Sequence, residues 1–291
     1  MGPLVIRAAL ASLVGLAACE APTPPLLGPD TLTIPVVAVT TSTEVSDAAP
    51  LENEPGGGVV LAKPLRWRGA LVHPLCVFAL VGGETRSEVR FEECGKDAAA
   101  PTLQGESVHY DFPRDEGFMI RPAFVDYRVL ASQGAHHLLS YLWNGGGTGY
   151  FSGLVIVDAT DRGLAVHRYL HGGDRCNGGI TETDVHGATI TFGAHVTPAD
   201  LMGLPAPVTS DAVRDLAQSA ASCAATARFR YTLGDDDPEL VAVDFDGPAD
   251  LDADLGERQR CFNRLFDARR GPGRSSAEVA AFVADVTRSC P

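Results

Sequence analysis

The amino-acid sequence predicts an α+β protein, with a mainly antiparallel β-sheet, one packed helix and a C-terminal helical hairpin. Runs of β-branched and aromatic residues, separated by glycine-rich turns, continue to about residue 196. The connections between these runs are too short for helical crossovers, so we expect neighbouring strands to pair antiparallel. Beyond residue 196, apolar residues begin to recur at the helical spacing.

The first 18 residues have the pattern of a bacterial lipoprotein signal peptide. Arg7 is followed by a run of small and apolar residues over 8–18, which is too short to span a bilayer. Residues 16–19 read LAAC and resemble the lipobox, where the signal is cut and the cysteine is acylated. We therefore expect a lipid on Cys19 that anchors the chain to a membrane. An ordinary secretory signal with an incidental cysteine is the alternative.

The segment after the cysteine predicts a tether in the cell envelope. Glu20 follows the cysteine, at the position where an aspartate retains some lipoproteins in the inner membrane. The absence of aspartate there favours an anchor in the outer membrane, facing the periplasm. Residues 19–58 are rich in Pro, Thr, Ala and Gly and contain no Lys, Arg or aromatic residue, so they cannot form a core. As a flexible coil, this disordered tether would span about 30–40 Å.

The cysteine count predicts disulfide bonds. The chain has seven cysteines, and six remain once Cys19 carries lipid, an even number that suits the oxidising periplasm. No CxxC or mixed His/Cys cluster indicates zinc, so we predict no metal site. The spacing favours pairing between sequence neighbours: Cys76 with Cys94 around a hairpin-like stretch, Cys176 with Cys223, and Cys261 with Cys290 on two facing helices.

Residues 59–249 predict a β-rich globular domain, and residues 250–291 a helical hairpin packed on it. In the first part, glycine-rich or acidic turns at 144–149 and 234–238 indicate hairpins. A helix is expected over residues 210–225, where apolar residues have helical spacing. The predicted strands are 138–143, 150–157, 164–170, 188–195, 228–233 and 240–245.

Two helices are predicted after residue 250. The first covers residues 257–269 and is broken by Gly-Pro-Gly at 271–273. The second opens at Ser275, where Glu278 three residues later completes a capping box.

The glycine-rich segment 172–179 is the strongest candidate for a binding site. Its glycines surround Asp174, Arg175 and Asn177. Such a backbone can cradle an anion, and the arginine fork can hold a carboxylate or phosphate. The alternative is a tight loop fixed by a disulfide at Cys176, with Asp174 and Arg175 paired locally.

Four segments carry a resemblance to a family of uncharacterised bacterial exported proteins and lipoproteins. These are YLWNGGG at 141–147, GGDRCNGGI at 172–180, Thr-Pro at 197–198, and DLAQSAASC at 215–223. The resemblance covers about residues 133–231. Since the family has no assigned activity, it implies a shared domain and no mechanism.

Other chemistry-bearing residues show no complete motif. His136 and His137 should point to opposite faces of a strand, and His167 lies about 13 Å from His171 along another. Ser152 misses the nucleophile-elbow pattern by one position.

The segment 235–257 holds ten acidic residues and no basic one, but it departs from the calcium-loop spacing, so we expect a solvated loop. No cofactor motif is present.

The sequence therefore favours a non-enzymatic, lipid-anchored binding or interaction module of the cell envelope. Its expected contacts are the membrane, through the lipid, and an envelope protein or glycan. A net charge of −14 argues against nucleic acid. A periplasmic hydrolase near the glycine-rich loop is the alternative, which would gain support if Asp174, Arg175 and a histidine such as His171 or His186 met in a deep pocket.

Overall fold

The computed structural model describes residues 60–61, 63–82, 86–113, 121–248 and 250–291. The predicted signal peptide, the predicted lipidation site Cys19 and the predicted tether lie outside the described residues. Antiparallel β-sheet dominates the described part, which also contains several helices, so the protein is α+β as the sequence predicts. No helix in these ranges is both long and apolar enough to span a membrane.

The six strands predicted from the sequence all overlap observed strands. In chain order, the elements are β1 (Val60–Leu61), β2 (Arg66–Trp67), β3 (Ala70–Leu71), α1 (Pro74–Val81), β4 (Glu88–Arg90), β5 (Thr102–Gln104), β6 (Ser107–Asp111), β7 (Phe124–Gln133), β8 (His136–Asn144), β9 (Phe151–Ala159), β10 (Gly163–Asp174), β11 (Ile180–His186), β12 (Thr189–Val196), α2 (Pro198–Gly203), α3 (Ser210–Val213), β13 (Ala225–Thr232), β14 (Glu239–Phe245), α4 (Glu257–Asp267), β15 (Gly271–Arg274) and α5 (Ser276–Ser289).

The larger sheet has the strand order β4-β10-β9-β8-β7-β6-β5, with β1 paired to β7. Its central strands β7 to β10 follow one another in the chain as hairpins. Side chains on one face, among them Val155 and Val157, form a core with helix α1. Alternate residues Leu154 and Ile156 point to the opposite face, which meets the second sheet.

The second sheet has the order β11-β12-β13-β14-β15, and one of its faces is buried. One end of that face packs on the larger sheet through Phe192 and Tyr231. The other end packs on the C-terminal helices, where Ala227 shares a core with Phe262 and Phe282. The buried face of the second sheet therefore packs on the larger sheet at one end and on the C-terminal helices at the other.

The prediction of a helix over residues 210–225 is correct for the first turn and wrong for the rest of the segment. Only α3 is helical, and Asp215 has a left-handed backbone with φ 62°. The hydroxyls of Ser219 and Ser222 bond to each other at 2.7 Å, and short polar side chains of this kind compete with helical hydrogen bonds. Leu216 is nevertheless buried, because the non-helical chain still brings it to the core.

Helix α1 was not expected, because residues 59–196 read as strands. Its residues Leu75 to Val81 are apolar throughout and show no helical period. The imidazole of His73 accepts a hydrogen bond from the Leu75 N–H at 3.1 Å, and Pro74 occupies the first turn. The stretch between Cys76 and Cys94 is therefore the end of a helix followed by β4, and the hairpin predicted there is wrong.

The predicted C-terminal helices are found as α4 and α5, and α5 opens with the expected Ser275–Glu278 capping box. The Gly-Pro-Gly segment between them differs from the expected turn. It belongs to β15, which pairs with β14 at the edge of the second sheet.

The six remaining cysteines lie in three pairs at disulfide distance, and these are the predicted pairs. The Cα–Cα distances are 5.1 Å, 4.5 Å and 5.5 Å for Cys76–Cys94, Cys176–Cys223 and Cys261–Cys290.

Candidate functional site

The segment Gly172–Gly179 forms the corner at which the chain leaves the larger sheet and enters the second one. β10 ends at Asp174, and β11 begins at Ile180. The corner is held to β12, because the Gly178 N–H donates to the His195 carbonyl at 3.0 Å and the His195 N–H donates to the Gly179 carbonyl at 2.9 Å. A disulfide from Cys176 adds a covalent link.

Close backbone packing accounts for two glycines of the corner. A Cβ atom on Gly173 would lie 1.7 Å from the carbonyl oxygen of Asn177. A Cβ atom on Gly179 would lie 2.4 Å from the carbonyl oxygen of Arg175. These positions require glycine for steric reasons alone, so they need no bound anion to explain them.

The corner brings together the three residues predicted as a binding site. One Asp174 oxygen accepts hydrogen bonds from the Tyr150 N–H at 2.8 Å and from Arg175 Nε at 3.0 Å. The other accepts from Arg175 Nη2 at 3.2 Å. The Asn177 side chain donates to the Gln218 carbonyl at 3.3 Å. Asp174 and Arg175 are therefore paired locally, as the alternative of a tight loop predicted, and Asp174 and Asn177 also tie the corner to Tyr150 and Gln218.

Arg175 differs from its two neighbours in exposure and in backbone conformation. Its side chain is 40% exposed, whereas that of Asp174 is 18% exposed. Its φ of 46° lies in the left-handed region, which glycine adopts freely and other residues adopt at a cost. A glycine at position 175 would adopt this backbone conformation freely, yet the residue there is arginine.

A cleft of about 420 Å³ lies beside the corner, between the two sheets. This volume is in the range of small-ligand sites. The corner contributes Arg175, and the facing strands contribute aromatic rings, hydroxyls and two further ionisable groups. The lining side chains with polar atoms are Ser140, Tyr141, Tyr150, Ser152, Arg175, Thr181, Glu182, Thr183 and His195.

Burial and backbone contacts fix the environment of two of the cleft's hydroxyl groups. Burial, with a smaller contribution from Tyr169, raises the pKa of Tyr141 to about 12, so its phenol stays protonated at neutral pH. The Ser152 hydroxyl accepts a hydrogen bond from the Ile180 N–H at 2.8 Å and so ties β9 to the start of β11.

The histidines expected near the corner do not line the cleft. His171 lies 5.9 Å and 5.3 Å, between ring centroids, from Phe192 and Phe229, and burial lowers its pKa. His186 is exposed and contacts Asp184 at 2.9 Å.

Sequence reasoning missed His195 and Glu182 as residues of the cleft. Glu182 lies on β11, paired with Gly193 of β12, and His195 lies on β12 where that strand bonds to the corner; no local motif marks either of them.

Carboxylates of the acidic segment 235–257 contact different partners. Asp244 accepts hydrogen bonds from Arg228 at 2.6 Å and from the Gly273 N–H at 2.7 Å. Asp246 accepts one from the Thr226 hydroxyl at 3.2 Å. The expectation that this segment holds no tight calcium site stays a prediction.

Three further ionisable side chains meet at the far end of β8 and β9. His136, Asp158 and His167 each present one ligand atom, and these three atoms lie within 4.8 Å of one another. His137 contacts Ser132 at 2.8 Å instead. The sequence did not indicate this cluster, because its members come from three different strands.

Comparison of the chain with known protein families, with curated proteins and with solved structures found no match.

Proposed function

We propose that the chain is a lipid-anchored binding module of the bacterial cell envelope, with the cleft beside the corner as its binding surface. The observation that carries the proposal is the combination of a ligand-sized cleft with an arginine whose side chain is half-exposed in a left-handed backbone position. Backbone strain of this kind is often retained where a side chain has a role.

The lining favours binding over catalysis. Asp174 is engaged by the corner, Ser152 bonds to the backbone, and Tyr141 remains protonated. Arg175 uses Nε and Nη2 for Asp174, and Nη1 makes no hydrogen bond within the described part of the chain. Tyrosine rings and hydroxyls beside a charged fork suit a polar partner that carries a carboxylate or phosphate, such as an envelope glycan or a peptide segment.

Capture of the partner tests the cleft. We expect the lipidated protein to retain an envelope component, and Arg175→Ala to lose it by about 10- to 100-fold, because a charged hydrogen bond contributes about 1.5–3 kcal/mol. Arg214→Ala is the matched control, since Arg214 is exposed and pairs locally with Asp211 outside the cleft. Equal capture by both variants would contradict the proposal.

The membrane anchor is tested separately. Cys19→Ser should leave the chain unprocessed or soluble, whereas Ser12→Ala in the same apolar run should leave it membrane-bound. Mass spectrometry of the mature N-terminus checks this, and an unmodified start at any residue other than Cys19 would refute the lipid anchor.

A periplasmic hydrolase is the second candidate, because Glu182 and His195 line the same cleft as Arg175. Incubation with envelope fragments, followed by mass spectrometry of the soluble products, separates the two candidates. Product release that is lost in both Glu182→Gln and His195→Asn would support the hydrolase and contradict the binding module.

The C-terminal segment 250–291 is proposed to act as a helical hairpin that supports the second sheet. A disulfide joins Cys261 of α4 to Cys290 at the end of α5. The ring of Phe282 lies 5.3 Å from Phe262 and 5.2 Å from Phe245 of β14, measured between centroids. The hairpin would thereby steady the sheet that carries half of the cleft.

A further inference from the structure

A cluster of two histidines and one aspartate lies on the larger sheet, away from the cleft. The Nδ1 atom of His136 is 2.5 Å from one oxygen of Asp158, and the Nδ1 atom of His167 is 3.4 Å from the other oxygen. The two imidazole rings have centroids 4.6 Å apart. About a third to a half of each side chain is exposed, so the cluster is accessible from solvent.

Strand pairing and one bulge bring the three residues together. His136 is the direct partner of Asp158 across β8 and β9. On the other side, Asp158 pairs with Ala165 of β10, and the register then skips His167 between Val166 and Arg168. A bulge of this kind redirects a side chain, and bulges occur frequently next to functional sites.

We propose that His136, Asp158 and His167 bind a divalent transition-metal ion, with Zn²⁺ as the ion that best fits this set. Two imidazoles and one carboxylate are a common zinc ligand set that leaves a coordination position open. Zinc bonds of about 2.0–2.1 Å separate tetrahedral ligands by about 3.3 Å. The His167 Nδ1 atom is already 3.4 Å from Asp158, whereas the His136 Nδ1 atom is 2.5 Å from it, so zinc binding requires His136 and Asp158 to move apart by about 0.8 Å. The metal is held by nitrogen and oxygen alone, because the described cysteines are all in disulfides.

An ordinary surface pair of histidine and aspartate has a different arrangement, and the chain contains one. His186 and Asp184 lie on the same strand, 2.9 Å apart, with no third ligand group among the described residues. In the proposed site, by contrast, two imidazoles from different strands approach one carboxylate. The carboxylate of Asp158 is thus shared by the two rings, with one oxygen facing each Nδ1 atom.

The site is distinct from the cleft. Asp158 is six residues along β9 from Ser152, about 20 Å in an extended strand. Loss of the metal is therefore expected to leave capture by the cleft unchanged, and the metal site stands independently of the proposed binding function.

Titration calorimetry with Zn²⁺ tests the site, on the full mature chain purified without a polyhistidine tag and with its disulfides intact. We expect one Zn²⁺ per chain with a Kd of about 10 μM or tighter. His136→Gln and His167→Gln should each weaken binding at least ~10-fold, as changes near metal sites commonly do. His186→Gln is the matched control and should bind as the wild type does.

Three outcomes of the titration would overturn the proposal: no zinc uptake by the wild type, unchanged affinity in both ligand variants, or an equal loss in the control. Circular dichroism checks that each variant is folded. As a second measurement, the Co²⁺-loaded chain should show the strong visible absorption of a four-coordinate ion, and Asp158→Asn should remove it. A weak octahedral spectrum in the wild type would also refute the site.

Discussion

Replacement of Gly173 by alanine tests whether the corner between the sheets depends on close backbone approach. The added Cβ would lie 1.7 Å from the Asn177 carbonyl oxygen and 3.0 Å from the Gly178 carbonyl carbon. The obstructing atoms belong to the backbone, so no side-chain rotation can relieve the contact. Gly173 does not have a positive φ, and the change therefore tests steric fit without a change in backbone preference.

The expected loss of stability is large. Overpacking in a close-packed site typically costs about 1–3 kcal/mol. The corner cannot move freely, because its disulfide and its hydrogen bonds to β12 hold it on both sides. We therefore expect the upper end of that range, about 3 kcal/mol, which corresponds to a fall in Tm of about 6–12 °C for a chain of this size.

Gly147 provides the matched control, because it also lies in a glycine-rich turn. A Cβ atom there would have no neighbour within 4 Å, and the residue is exposed. Gly147→Ala should change the free energy of unfolding by less than about 1 kcal/mol. Equilibrium unfolding in urea, followed by tryptophan fluorescence, measures both variants. If Gly173→Ala is as stable as Gly147→Ala, the steric account of the corner is wrong.

Two further predictions concern the C-terminal disulfide and a histidine between two carboxylates. Joint replacement of Cys261 and Cys290 by alanine should cost about 3–4 kcal/mol, since the bond closes a loop of 29 residues; an unchanged urea midpoint, or non-reducing peptide mapping that links Cys261 elsewhere, would contradict it. His109 contacts Asp126 at 2.5 Å and Asp111 at 3.1 Å. Burial lowers its pKa, but the hydrogen bonds and charges of the two carboxylates outweigh burial and raise the pKa above its ordinary value of about 6.5. The stabilisation is therefore complete below about pH 6.5 and is lost as pH rises through the folded-state pKa. His109→Gln should cost about 1–2 kcal/mol at about pH 5 and less at about pH 9, and an equal cost at both values would refute the linkage.

The strands could be predicted from the sequence because their signal is local. Runs of β-branched and aromatic residues on either side of the glycine-rich turn at 144–149 are enough to locate β8 and β9. Helix α1 could not be recognised, because it is apolar on all sides and its burial comes from tertiary packing. The apolar spacing over 210–225 was misleading, since Leu216 reaches the core from a non-helical segment.

The division into two sheets also depends on information beyond local pattern. Hairpin signals show which strands follow one another, but they do not show where the chain changes sheet. That change occurs at the glycine-rich corner, which the sequence indicated as a candidate binding site and not as a crossing between sheets.

The candidate site was predictable to the same limited extent. Arg175 stands in a conspicuous local motif, so the sequence could single it out. His195 and Glu182 reach the cleft through strand register, and the three proposed metal ligands meet through two strand pairings and a bulge. Register of this kind is set by long-range pairing, which single-sequence patterns do not encode.

The edges of the second sheet have a consequence for how molecules of this protein behave at high concentration. An open sheet edge can recruit a strand from another chain and so begin aggregation. At one edge, Pro272 of β15 has no N–H to donate, and the exposed Gly273 follows it. At the other, β11 is interrupted by a bulge and exposes Glu182 and Asp184, whose like charges repel a second copy. Crowded copies should therefore resist edge-to-edge association through this sheet.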